Sequence, residues 1–152
     1  MASRATLVLI ETDVLVAAID PEDPRRKEAG GILTAARRCS LSPYALIELD
    51  LLMRSGSIEV EDYHAFWRKL HEVLEHYGVT LLTPSPLHHA EAGRLREAYG
   101  LTYFDSLHAA AAIIEEATLV SYDERAYGRV GELRYVHPSR LPRARRSRRG
   151  LP

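Results

Sequence analysis

TLVLIETDVLVAAID, residues 6–20, holds an apolar run of strand length, then two acids, then a second apolar run. The first run, TLVLI over residues 6–10, is rich in branched side chains, as a strand covered on both faces would be. The second, VLVAAI over residues 14–19, continues as a short helix. A buried strand that hands directly to a buried helix begins a parallel α/β unit. Glu11 and Asp13 then stand at the carboxyl end of the first strand, where open parallel sheets place their sites.

The rest of the chain repeats this alternation. Asp20, Pro21, Asp23 and Pro24 break it, and a charged helix follows with Ala29, Ile32, Leu33 and Ala36 at helical spacing. A short strand is expected at Cys39–Leu41. Ser42 and Pro43 read as cap and first residue of a helix running to about Arg54. An amphipathic helix over residues 59–77 ends at Gly78, and a strand follows at Val79–Leu82. A helix over Pro84–Tyr99 ends at Gly100, and an alanine-rich helix spans Phe104–Glu116. Strands at Thr118–Val120 and Leu133–Val136 complete the pattern. Strands separated by helices predict a central, mostly parallel sheet with helices on both faces. The expected division is one folded domain over residues 1–138 and a basic, disordered tail over residues 139–152.

A chain of 152 residues and 17.1 kDa is long enough for one domain with its own core. No apolar stretch approaches a membrane span, and the opening run is too short for a signal peptide, so a cytoplasmic protein without a membrane partner is expected. Cys39 is the only cysteine, which excludes an internal disulfide and a thiolate zinc cage. The net charge of −1 hides an asymmetry. Arg140, Arg143, Arg145, Arg146, Arg148 and Arg149 crowd the last thirteen residues, leaving 14 bases against 21 acids in residues 1–139. An acidic body suits a divalent cation. The tail either contacts a polyanion or only improves solubility.

The informative acids are those among apolar neighbours. Glu48, in SPYALIELDLLMR (42–54), has Tyr44, Ala45, Leu51 and Leu52 three and four residues away and no base among them. Either it is buried, and neutralises or acquires a cation, or the helix is rotated and it reaches solvent. In the first case, Glu48→Gln should relieve repulsion and raise the melting temperature of the metal-free protein. Asp13 could serve as a helix cap, and so could Asp105, at the start of DSLHAAAAII, and Asp123, after TLVSY. Their convergence argues for more. Three sets of acids fall at strand exits or at the helix starts beside them, and a fourth lies on a buried helix face. Carboxylates suit Mg2+ or Mn2+, and such a site activates water for in-line attack on phosphorus.

These pieces, in order, resemble the PIN-domain ribonuclease family and its VapC-like toxin branch: LIETDVLVAAIDPEDP (9–24), SPYALIELDLLMR (42–54), YGLTYFDSLHAAAAI (99–113) and TLVSYDERAYGRV (118–130). The resemblance implies a three-layer α/β/α sandwich and a magnesium or manganese site built from Glu11, Asp13, Glu48, Asp105 and Asp123. It also implies RNA cleavage leaving a 5′-phosphate and a 3′-hydroxyl, a small antitoxin partner and a homodimer. Thr12 and Ser121 occupy supporting positions, and Arg143, Arg145, Arg146, Arg148 and Arg149 are candidate RNA contacts. One departure is plain: the family's first motif usually begins with Asp, whereas this chain reads Glu11, Thr12, Asp13, which lengthens one carboxylate arm and adds a charge.

His108 shares a helix with Asp105, and a packed core histidine is the favoured reading there. A phosphoacceptor receiver domain would need a lysine near the fifth strand, and the only lysines are Lys27 and Lys69. Two alternatives to a toxin stay open: a non-catalytic RNA- or protein-binding module of the same fold, and an RNA-processing nuclease.

Overall fold

The opening run folds as read from its pattern. Val8–Ile10 forms strand β1 and Thr12–Ile19 helix α1, with Glu11 alone between them. The computed structural model describes residues 6–35 and 38–141. After α1 come α2 (Arg26–Thr34), β2 (Cys39–Leu41), α3 (Ala45–Arg54), α4 (Tyr63–His76) and β3 (Thr80–Leu81). The chain continues through α5 (Pro86–Tyr99), α6 (Tyr103–Ile114), β4 (Thr118–Val120), α7 (Glu124–Tyr127) and β5 (Tyr135–Val136), ending in a 3-10 turn at Pro138–Arg140.

The five strands lie in the order β3-β2-β1-β4-β5, and each neighbouring pair is parallel. The chain steps outward from β1 to β2 and β3 on one side and returns to β4 and β5 on the other. The strand order therefore reverses at the β1–β4 junction, and a crevice opens beyond their carboxyl ends.

Strand alternation divides the core into two layers. Leu9 and Leu119 face one side, packed with Ala92 and Leu95 of α5 and Leu107 of α6. Ile10 and Val120 face the other, against Val14 and Leu15 of α1, Ile32 of α2, Leu49 of α3 and Leu70 of α4. This is a three-layer α/β/α sandwich. Ala109, Ala110, Ala111 and Ala112 are all fully buried, so α6 is enclosed on nearly every side, with small side chains where larger ones would not fit. Leu9 is also fully buried, and its truncation to Ala would cost about 2–5 kcal/mol.

Several boundaries differ from the sequence reading. The helix expected over 59–77 begins at Tyr63, because the Asp62 carboxylate accepts the Ala65 amide at 2.9 Å and caps it there. The strands expected at Val79–Leu82 and Leu133–Val136 shorten to two residues each, as edge strands with one partner. Ser42 is not the cap of α3: that helix starts at Ala45 behind Tyr44, with no side-chain cap, and the Ser42 hydroxyl pairs with His108 and accepts only the Tyr44 amide, at 3.4 Å. The described chain continues past Pro138 through Leu141, with Arg140 paired to Glu124 at 2.8 Å. Ala36 and the tail arginines Arg143, Arg145, Arg146, Arg148 and Arg149 lie outside the described residues. Cys39 is buried, and no helix among the described residues is long and apolar enough to cross a membrane.

Candidate metal centre

The crevice beyond β1 and β4 is where the acids meet. The Glu11 amide donates to the Val120 carbonyl at 3.1 Å and the Ser42 amide to the Ile10 carbonyl at 3.0 Å, so three strand exits are stitched side by side. Around them lies an open cleft of about 300 Å3, lined in part by Glu11, Asp13, Glu48, Asp105 and Asp123. All five acids singled out in the sequence therefore share one cleft.

Each arrives by a different local route. Glu11 caps α1 by accepting the Asp13 amide at 3.3 Å, which releases Asp13 from the capping role considered for it. Thr102 caps α6 through its hydroxyl, so the Asp105 carboxylate in the first turn is likewise available to the cleft. Asp123 does cap α7, accepting the Ala126 amide at 3.0 Å, and lines the cleft as well. Glu48 projects from α3 at the edge of the buried face formed by Ala45 and Leu49. Its neighbour Leu51 is exposed, so the helix is turned part of the way between the two alternatives.

Glu48 has a base after all. His108 of α6, 60 residues away and fully buried, places Nε2 2.9 Å from Glu48 Oε1, 3.3 Å from Thr12 Oγ1 and 3.6 Å from Glu11 Oε1. Its Nδ1 lies 2.6 Å from the hydroxyl of Ser42, the residue expected to cap α3. An ionised carboxylate can only accept, so Nε2 carries the proton shared with Glu48. Burial pushes the His108 imidazole down, but Glu11, Glu48 and Asp105 outweigh it, and the net shift is upward. Burial raises Glu48, yet the hydrogen bond and charge of His108 leave it below its ordinary value. His108 is thus packed, as the favoured reading had it, and part of the acidic cluster too. Its position three residues after Asp105, on the same face of one helix, was the signal available in the sequence.

The remaining acids share fewer hydroxyl donors than they have oxygens. Ser121 has one hydroxyl proton for two carboxylates, Asp13 Oδ2 at 2.7 Å and Glu11 Oε2 at 3.1 Å. Tyr127, fully buried, has one for Asp105 Oδ1 at 3.2 Å and Glu11 Oε2 at 3.4 Å. If each hydroxyl serves its nearer partner, Glu11 Oε2 is left without a donor. Asp13 Oδ1 is buried with no hydrogen-bond partner at all. Burial, opposed by His108 and reinforced by Asp13, Glu48 and Asp105, pushes the Glu11 carboxyl up to about 7. Burial likewise raises Asp13 against the hydrogen bonds of Ser121 and Tyr122, and raises Asp105 against that of Thr102.

A site with more carboxylate oxygens than protons, one of them orphaned, fits a hard divalent cation. Single ligand atoms of Glu11, Glu48 and His108 lie within 4.8 Å of one another, so the two carboxylates are close enough to share an ion. With its Nε2 proton in place, His108 serves this group as a donor and leaves the carboxylates to coordinate. Ser121 donates to the acids directly, whereas the Thr12 hydroxyl lies 3.3 Å from His108 Nε2. Tyr127 and Ser42 were not anticipated, since a tyrosine far along the chain and a serine before a helix carry no local mark of such contacts.

The PIN-domain family profile matches residues 8–133, and the chain belongs to the PIN-domain family. No curated protein sequence matches it. Among solved structures, the chain is similar to VapBC2 of Rickettsia felis bound to a DNA fragment from its promoter: 20% identity, TM-score 0.68, covering 86% of this chain and 98% of that one. It is similar to VapBC-1 of nontypeable Haemophilus influenzae, with 15% identity, TM-score 0.67 and coverage of 88% and 98%. A toxin–antitoxin complex from Klebsiella pneumoniae gives 17% identity, TM-score 0.64 and coverage of 86% and 97%. At these identities the likeness speaks for the fold.

Proposed function

We propose that this chain is a divalent-metal-dependent endoribonuclease, acting in the cytoplasm as the toxin of a toxin–antitoxin pair. The observation that carries the metal is the orphaned Asp13 Oδ1, buried in a cluster whose carboxylate oxygens outnumber the protons offered to them. Glu11, Asp13, Glu48, Asp105 and Asp123 would hold Mg2+ or Mn2+. When bound, the cation supplies positive charge for the phosphodiester and a water acidic enough to attack phosphorus. The chain's own residues do the positioning. Ser121 fixes Asp13 at 2.7 Å and is itself held by the Asp123 amide at 3.0 Å, Tyr127 steadies Asp105, and His108 locks the orientation of Glu48. A bound cation would favour the ionised form of Glu11.

The toxin role is supported by family membership and by relatives whose structures are of toxin–antitoxin assemblies. A small antitoxin and a second copy of the chain are the partners proposed from the same likeness. Incubation of single-stranded RNA with the protein in manganese or in EDTA tests the activity. Cleavage in manganese alone, giving 5′-phosphate ends, supports the reading, whereas RNA binding without cleavage would make the chain a non-catalytic module. Growth arrest on expression, relieved by a co-expressed small protein from a neighbouring reading frame, separates a toxin from a processing nuclease.

A further inference from the structure

Five acids are a poor landing place for RNA. One divalent cation offsets two of these charges, so the cleft would stay negative, and a phosphodiester would approach against its field. Among the described residues, the cleft's lining includes a single basic one, Arg25.

Arg25 is held by a built support. It follows the turn DPEDP (20–24), where Pro21 and Pro24 each restrict the backbone and Asp20 accepts the Glu22 amide at 2.9 Å. Asp23 receives its Nε at 3.1 Å, its Nη2 at 2.9 Å and its backbone amide at 2.8 Å. The guanidinium lies 4.2 Å from the ring centre of Tyr122. Tyr122 is fixed in turn, its amide donating to Asp13 Oδ2 at 2.9 Å and its phenol to Glu28 Oε1 at 2.9 Å. The side chain remains 45% exposed, and its described hydrogen bonds use Nε and Nη2, leaving the Nη1 edge for a ligand.

We propose that Arg25 binds an RNA backbone phosphate beside the scissile bond, its guanidinium held between the Tyr122 ring and Asp23 at the rim of the acidic cleft. A pre-positioned arginine offers donors and a positive charge without the entropy of ordering a free side chain. Its tether through Tyr122 to Asp13 ties that phosphate subsite to the metal ligands. The proposal deepens the nuclease reading and rests on it for the identity of the polyanion.

The test compares the full-length wild type with Arg25→Gln and Arg25→Lys. Fluorescence anisotropy with a labelled single-stranded RNA, with calcium replacing manganese to slow hydrolysis, is run over a series of KCl concentrations. Arg25→Gln should weaken binding by about tenfold, the loss of one charge-assisted hydrogen bond. It should also lower the log–log salt slope by roughly 0.7. Arg25→Lys should restore the slope but only part of the affinity. In manganese, KM for cleavage should rise by a similar factor with kcat little changed, and the manganese concentration for half-maximal thermal stabilisation should stay within about twofold. An unchanged slope and KM would overturn the proposal. So would tighter manganese binding with unchanged RNA affinity, which would make Arg25 a counter-charge to the acids. If wild type binds RNA without cutting it, the nuclease reading fails alone and the slope comparison still decides the role of Arg25.

Discussion

Replacing Glu11 with Gln should stabilise the metal-free protein at pH 8 and have far less effect near pH 5. Glu11 is 5% exposed, so solvent screening removes little of the effect, and burial with like charges moves its carboxyl from 4.5 to about 7. A carboxyl raised in the folded state costs nothing below its unfolded value, where both states are protonated. The cost grows between pH 4.5 and 7 and is complete above 7. At about 1.4 kcal/mol for each pH unit, the full penalty is about 3 kcal/mol. Gln removes it while keeping an oxygen for the Asp13 amide and offering an N–H toward Ser121. For a protein of this size, each kcal/mol moves the melting temperature by roughly 2–4 °C, so a gain of about 6–12 °C is the ceiling at pH 8 in EDTA. Near pH 5 the difference should fall below about 1 kcal/mol. His108, raised in the fold, adds in the same sense: its contribution is present at low pH and lost as the pH rises through its folded value. Manganese should then stabilise wild type more than the variant, because the wild type offers the stronger site. Thermal melts of both proteins at pH 5 and pH 8, in EDTA and in manganese, provide the check. A variant less stable than wild type at pH 8 in EDTA, or a difference independent of pH, would refute the reasoning.

Glu48→Gln should behave in the opposite way to Glu11→Gln and to the sequence expectation. His108 holds Glu48 below its ordinary value, so the variant should lose about 1–3 kcal/mol in EDTA at neutral pH by calorimetry or chemical denaturation. Asp105→Asn should cut manganese-dependent RNA cleavage at least about tenfold while the circular dichroism spectrum and melting behaviour stay close to wild type. Truncation after Leu141 keeps the Arg140–Glu124 pair and removes five arginines. If the tail contacts RNA, each lost phosphate contact should lower the salt slope of binding by roughly 0.7, and an unchanged slope would leave the tail a solubilising end.

The contrast between Glu11 and Glu48 shows where local reading reaches and where it stops. Both acids were marked by apolar neighbours, and that mark is legible in a string of residues because strand runs and helix spacing are local. What each acid does with its charge depends on groups far along the chain. Glu48 meets His108 60 residues later, and Glu11 competes with Asp13 for the single proton of Ser121, more than 100 residues away. Ser42 makes the same point from the other side. A serine before a proline and a helical run looks like a cap, but its hydroxyl lies 2.6 Å from the imidazole Nδ1 of His108 and reaches only the Tyr44 amide, outside the helix, at 3.4 Å.

From sequence alone came the alternation of strands and helices, the parallel sheet, the acids at strand exits and the likeness to one family, since each is written in short-range periodicity or in motifs. Tertiary structure alone decided the strand order that puts β1 beside β4, and with it the side-by-side placement of Glu11 and Ser121. It also decided the sign of each carboxyl's shift and the clamping of Arg25 over Tyr122. The physical reason is that hydrophobic patterning says which face of an element is buried, whereas electrostatics and hydrogen bonding depend on which partner is brought within about 3 Å, and only the packed chain brings it there.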